Sequence, residues 1–240
     1  MSLVHGARFC WRKWKEVLVF RRLIGKFLRF ASLVLVMIHQ IVSISGRKRV
    51  GKNSLANVFI EEFAAKNILA KQYAFADELK KELDPLFLLN AGVSAFTEDP
   101  VEKELLRKVL IAYGTGYWRN KDPDHWIKKL EKTLAAKETP HVAILTDTRF
   151  YSNELPWVEK NGGITVHLSR HDDNGDLFPP AGEDEMLNDP ILEERAKFTL
   201  KWNNFHDDDS LRYYKGRQFF NQIFADKIPQ WQNDFPLPKI

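Results

Sequence analysis

The chain has 240 residues, 44% of them hydrophobic, enough for one domain of ordinary size with a real core. Its formal net charge of +4 is unevenly spread: residues 1–36 hold eight Lys and Arg against the single acid Glu16, and the remainder carries 28 basic and 31 acidic residues, a net of −3. A broadly basic nucleic-acid surface is therefore not expected, no apolar run reaches the ~20 residues that span a bilayer, and the lone Cys10 excludes an internal disulfide framework and points to the cytoplasm.

Residues 1–36 are Arg-rich, aromatic and almost free of acids. Three readings compete: an upstream extension outside the fold, a basic and acid-poor targeting sequence, or a basic amphipathic helix lying on a membrane. The first is preferred, because Met37 stands four residues before Ile41, where the first strand starts, and no linker separates them. A main domain over 37–226 and an extended tail over 227–240, which holds three prolines, are expected.

The apolar run 41–44 is followed by Gly46, four residues, then Gly51, Lys52, Asn53 and Ser54. A helical pattern begins at once, with Leu55, Val58, Phe59 and Phe63 on one face. Strand, tight turn and helix is the setting a phosphate-binding loop requires. Gly46 and Gly51 permit the turn and the close approach of an anion. Backbone amides of the loop, including those of Lys48 and Val50, face that anion, and the helix N-terminus adds partial positive charge. Lys52 reaches the β- and γ-phosphates, and Ser54 offers a hydroxyl to magnesium. Asn53 stands between the lysine and that hydroxyl, as a metal-water contact or a helix cap.

Further along, 73–80 reads as a short strand ending in a polar site with Asp77 and Lys80, and 81–97 as mixed cover for a pocket. Pro100 opens a helix to about 112 that carries Arg107. Gly114 and Gly116 suggest a turn or helix break before Arg119. Asp122, Pro123 and Asp124 begin a helix with Trp126, Ile127 and Leu130 inward. The strand 141–145 ends at Thr146, Asp147, Thr148 and Arg149, where open α/β sheets place ligands. A helix over 153–160 starts at Asn153 and Glu154. The strand 164–168 delivers Ser169 and Arg170. Residues 171–190, rich in Gly, Pro and acids, read as a loop or mobile flap. The last helix is expected near 211–224. Strands alternating with helices predict an α/β fold, a parallel sheet with helices on both faces.

The loop Gly46–Ser54, the run Phe75-Ala76-Asp77-Glu78-Leu79-Lys80, the block from Tyr113 and Gly114 through Arg119 to Asp122-Pro123-Asp124-His125-Trp126, and Asp147-Thr148-Arg149-Phe150 with Asn153-Glu154 together resemble the deoxynucleoside monophosphate kinase family known from bacteriophages. The resemblance covers about 38–224. It implies a P-loop kinase fold with a small flap or lid, and transfer of a phosphoryl group from ATP to a deoxynucleoside monophosphate with magnesium. It implies donor contacts at Gly46, Lys48, Val50, Gly51, Lys52, Asn53 and Ser54. Acceptor contacts fall to Asp77, Lys80, Arg107, Arg119, Asp147, Arg149 and Glu154. Lys52, Arg149 and Arg170 carry the catalytic role, and Ser54 and Asp147 hold magnesium, the latter through water. That family has Asp where this chain has Asn53. Gly46-Arg47-Lys48-Arg49 and Asp147-Thr148-Arg149 are also similar to the animal phosphomevalonate kinases, so a small phosphorylated metabolite is the alternative acceptor. A non-catalytic nucleotide-binding protein is the third reading. Small-molecule nucleotides are the expected partners, and a homodimer is compatible with them.

Overall fold

The computed structural model describes residues 40–204 and 209–238. The readings made for residues 1–36, and the start at Met37, lie outside the described residues. Five strands form one all-parallel sheet: β1 (Gln40–Ser45), β2 (Ala70–Tyr73), β3 (Val142–Thr148), β4 (Ile164–His171) and β5 (Phe198–Asn203), in the order β2-β3-β1-β4-β5. The helices are α1 (Lys52–Ala64), α2 (Phe75–Ala91), α3 (Pro100–Ile111), α4 (His125–Ala135), α5 (Glu154–Lys160), α6 (Glu183–Arg195), α7 (Asp209–Phe224) and α8 (Ile228–Asp234). A π-helix, Ala112–Arg119, continues α3.

Both faces of the sheet are covered, because side chains alternate along each strand. Val42 and Ile44 of β1 face a core with Leu55, Phe59 and Phe63 of α1 and Phe219, Phe220 and Phe224 of α7. Ile41, Ala143 and Leu145 face the other way, onto Phe75 and Leu79 of α2, Trp126 and Leu130 of α4 and Val158 of α5. The α/β architecture with a parallel sheet is therefore as expected. Among the described residues no helix is long and apolar enough to cross a membrane.

Four local expectations are corrected. The strand β2 ends at Tyr73, and the residues from Phe75 are helical through Ala91. The cap of that helix comes from far along the chain: Asp147 Oδ1 and Oδ2 accept the Phe75 and Ala76 amides at 2.8 and 2.9 Å. Gly114 and Gly116 do not break the chain into a turn. The helix widens there, with the Trp126 indole donating to the Gly114 carbonyl at 3.1 Å and Leu79 filling the space a Gly114 Cβ would need. The flap region becomes helical from Glu183, and Asn188, Asp189 and Leu192 are buried under it. The expected tail contains α8, whose Trp231 packs with Phe63 and Phe224 while Phe235 closes over it.

Candidate functional site

The loop after β1 is built as a strained turn. Gly46 has φ 134°, Arg49 φ 66° and Gly51 φ 98°, all in the left-handed region. A Cβ on Gly46 would lie 2.1 Å from the Leu168 carbonyl oxygen, and one on Gly51 2.7 Å from the Trp202 ring. The Trp202 indole donates to the Val50 carbonyl at 2.7 Å, so β5 holds the loop from below. Val50 itself is buried, and its amide turns to the Arg47 carbonyl at 3.5 Å.

Lys52 opens α1 and folds back under the loop, donating to the Gly46 and Arg47 carbonyls at 2.7 Å each. Burial lowers its pKa to about 8, and the neighbouring Arg149 charge adds to this, while Glu185, Asp147 and Asp189 oppose it. Asn53 is not the cap of α1; Gly51 occupies that position. The Asn53 side chain is exposed and accepts from Gln72 of β2 at 3.3 Å, and Gln72 also donates to Thr146 at 3.2 Å. Ser54 lies in the first turn of α1 and is half-buried.

A cavity of about 600 Å³ opens beside this loop, large enough for a small-molecule ligand. Gly46, Lys48, Lys80, Arg107, Arg119, Asp147 and Arg149 all line it, so seven of the expected residues converge on one space. The register of β1 against β3 slips by one residue between Ser43 and Ser45, next to Asp147. Asp147 is buried, with each oxygen already accepting one amide of α2.

Glu154 is fully buried and organises the far wall. One oxygen binds Arg119 at 2.5 Å, and the other accepts the Arg149 and Phe150 amides at 2.7 and 3.1 Å. Burial nevertheless pushes the Glu154 carboxyl upward, against the pull of Arg119. The Arg119 guanidinium also stacks over the Phe150 ring at 4.3 Å. Glu154 is therefore a positioning group for Arg119 and Arg149, and does not line the cavity. Asp77 is likewise local: it accepts the Ala74 amide at 3.0 Å, and burial followed by the Asp147 charge raises its pKa. Lys80 reaches over the Phe96 ring, and Arg107 lies 4.0 Å from the exposed Glu104.

Arg170 is tethered away from the cavity. It donates to the Arg49 carbonyl at 3.2 Å and to the Asn204 side chain, and lies over the Phe178 ring. Its Nε is buried without a partner.

Three contributors had no clear signal in the sequence. Glu185 accepts the Lys48 amide at 2.9 Å and the Ala181 amide at 2.7 Å. Asp189 binds Arg47 at 2.7 Å, and Arg47 also donates to the Phe178 carbonyl at 2.6 Å. Trp202 supports the loop as described. The acidic run before Met186 was the one available hint, and it reads equally well as a solvated helix start. Among the described residues, no group of three or more His, Cys, Asp and Glu side chains is arranged to hold a metal ion. Compared with known proteins, the chain matches no family model. No curated protein matches it either.

Proposed function

We propose that this chain is an ATP-dependent kinase that phosphorylates a deoxynucleoside monophosphate. The observation that carries the reading is the pairing of two features. A glycine-hinged loop at a strand–helix junction is closed around a half-buried lysine, and it borders a cavity lined by Lys48, Lys80, Arg107, Arg119 and Arg149. A P-loop kinase fold belongs to the same proposal. The loop follows the central strand of a β2-β3-β1-β4-β5 parallel sheet, which is compatible with it.

Phosphoryl transfer asks mainly for alignment and for cations around the migrating group. The loop amides and Lys52 hold the donor phosphates. Arg149, fixed at its backbone by Glu154 and close enough to Lys52 to shift its pKa, lies between donor and acceptor. Arg119, braced by Glu154 and Phe150, grips the acceptor phosphate from the opposite wall. Arg170 reaches the phosphates only after releasing Arg49 and Asn204. Magnesium is compatible with so few protein oxygens, because it keeps water and binds largely through phosphates. Ser54 would hold it directly, and Asp147, with lone pairs left beyond its two amides, through water. When bound, it neutralises the charge of the transferring group.

One observation favours the second reading. The aromatic rings nearest the cavity are poorly placed for stacking a base, since Trp126 is 2% exposed and Phe150 is covered by Arg119. A phosphorylated small acid, as in the phosphomevalonate kinases, would use the same cations without a base platform. A coupled ADP-release assay over a panel of deoxynucleoside monophosphates and phosphorylated small acids is the test. ADP release with a deoxynucleoside monophosphate is expected. Release only with a small acid moves the assignment to the second reading, and ATP binding without release to any acceptor moves it to a non-catalytic nucleotide-binding protein.

A further inference from the structure

Glu185 sits where an incoming anion would. Its carboxylate accepts the amide of Lys48, inside the loop, at 2.9 Å. The other oxygen is held by the Ala181 amide at 2.7 Å, just before α6. Its charge reaches Lys52, whose protonated form it favours. A second tether lies one turn further along α6, where Asp189 binds Arg47 of the same loop at 2.7 Å. A carboxylate shares with a phosphoryl group a negative charge and a fork of acceptor oxygens, so amides arranged for one will accept the other.

We propose that Glu185 is an internal stand-in for a phosphate group, so that the first turn of α6 closes the loop until a polyphosphate displaces it. The inference rests on the phosphate-loop reading above. The construction suits displacement. Met186 and Leu187, at the end of that turn and just beyond it, are 56% and 65% exposed, while the buried anchors of the helix, Asn188, Asp189 and Leu192, begin at the next residue. The turn can therefore lift without uncovering the core. A polyphosphate in the loop also repels Glu183, Asp184 and Glu185 together, which all line the cavity. Binding and opening are then one exchange: the Lys48 amide passes from carboxylate to phosphate, and the Ala181 amide loses its acceptor. The loop is thereby selective for ligands of high negative charge, since a weak monoanion does not outcompete a tethered carboxylate.

The test uses magnesium tripolyphosphate as the probe, titrated calorimetrically into the full chain and into its Glu185→Gln, Glu185→Ala and Lys52→Ala variants. The two Glu185 variants should bind roughly ten- to a hundredfold tighter than the unaltered chain, the size expected for losing hydrogen bonds to a charged competitor. Lys52→Ala should lose binding. Amide exchange on the unaltered chain gives a readout that needs no variant: with tripolyphosphate, Ala181 should lose protection while Lys48 keeps it. Binding by the unaltered chain with no gain in either folded Glu185 variant, or with Ala181 still protected, overturns the displacement and leaves the phosphate loop standing. Failure of every form to bind overturns both.

Discussion

Lys52 is a half-buried cation whose ammonium donates to two backbone carbonyls, and its chemistry follows from that. Without a ligand its ammonium is half deprotonated near pH 8. A bound phosphate favours the charged form and raises the pKa again. The complex then holds a proton the free chain is shedding, so polyphosphate affinity should fall as the pH rises from about 8 towards the usual lysine value of 10.5, and binding at pH 8 should take up about half a proton. Calorimetry in two buffers of different ionisation enthalpy measures that uptake; zero uptake would place the ligand away from Lys52. Arg119 and Glu154 make a second residue-scale case. Removing one partner of a buried pair strands the other charge, so Arg119→Ala should cost about 3 kcal/mol in thermal or denaturant unfolding. Arg119→Ala combined with Glu154→Gln should recover part of that loss, because the stranded charge is gone. A full loss in the double variant would mean that the Arg119 packing on Phe150, and not the charge, matters.

At the scale of elements, the loop is held between α1 and β5. Gly51→Ala puts a methyl against the Trp202 ring at a φ of 98° and should cost roughly 1–3 kcal/mol, lowering the unfolding midpoint. Gly182→Ala, which has open space around its Cβ, is the control and should leave the midpoint nearly unchanged. The helix α1 and the strands β1, β3 and β4 were legible in the sequence because their apolar spacing is local and regular. The start of α2 was not, because its two first amides are satisfied by Asp147, some 70 residues away, and the local signal, Asp77 accepting the Ala74 amide, follows a run that reads equally well as a strand. The π-helix was hidden by its glycines, which read as a break although Gly114 is there to admit Leu79. The helix α6 was hidden by its own composition, acidic at the start and interrupted by Pro190. The same reasoning explains the candidate site. Residues bound to a recognisable loop or strand end were found, whereas Glu185, Asp189 and Trp202, which reach the loop across space, were not.

For the whole molecule, residues 228–235 belong to the core. Trp231 of α8 is 5% exposed and packs tilted against Phe63 and Phe224 and edge-on to Phe235. Its replacement by Ala should cost about 3–5 kcal/mol, read from denaturant unfolding with an unchanged slope. A loss under 1 kcal/mol would return this stretch to the status of a tail. The strand β2 has the same dependence on the C-terminus, since the Leu69 amide donates to the Phe235 carbonyl at 2.7 Å and the Leu237 amide to the Asn67 carbonyl at 3.1 Å.

The position of β1 at the centre of the sheet has a consequence for how the chain is made. Its two neighbours, β3 and β4, begin roughly 100 and 120 residues later. A ribosome adding about 5–20 residues per second therefore leaves β1 without either partner strand for roughly 5–20 s. Through that interval its Ile-Val-Ser-Ile run has both edges open, and α1 is the nearest apolar surface able to cover one face. The loop after β1, whose Gly46 and Gly51 pack against Leu168 and Trp202, should take its shape only once β5 has left the ribosome. Nascent chains halted before Trp202 should thus lack the loop geometry, however well their helices have formed.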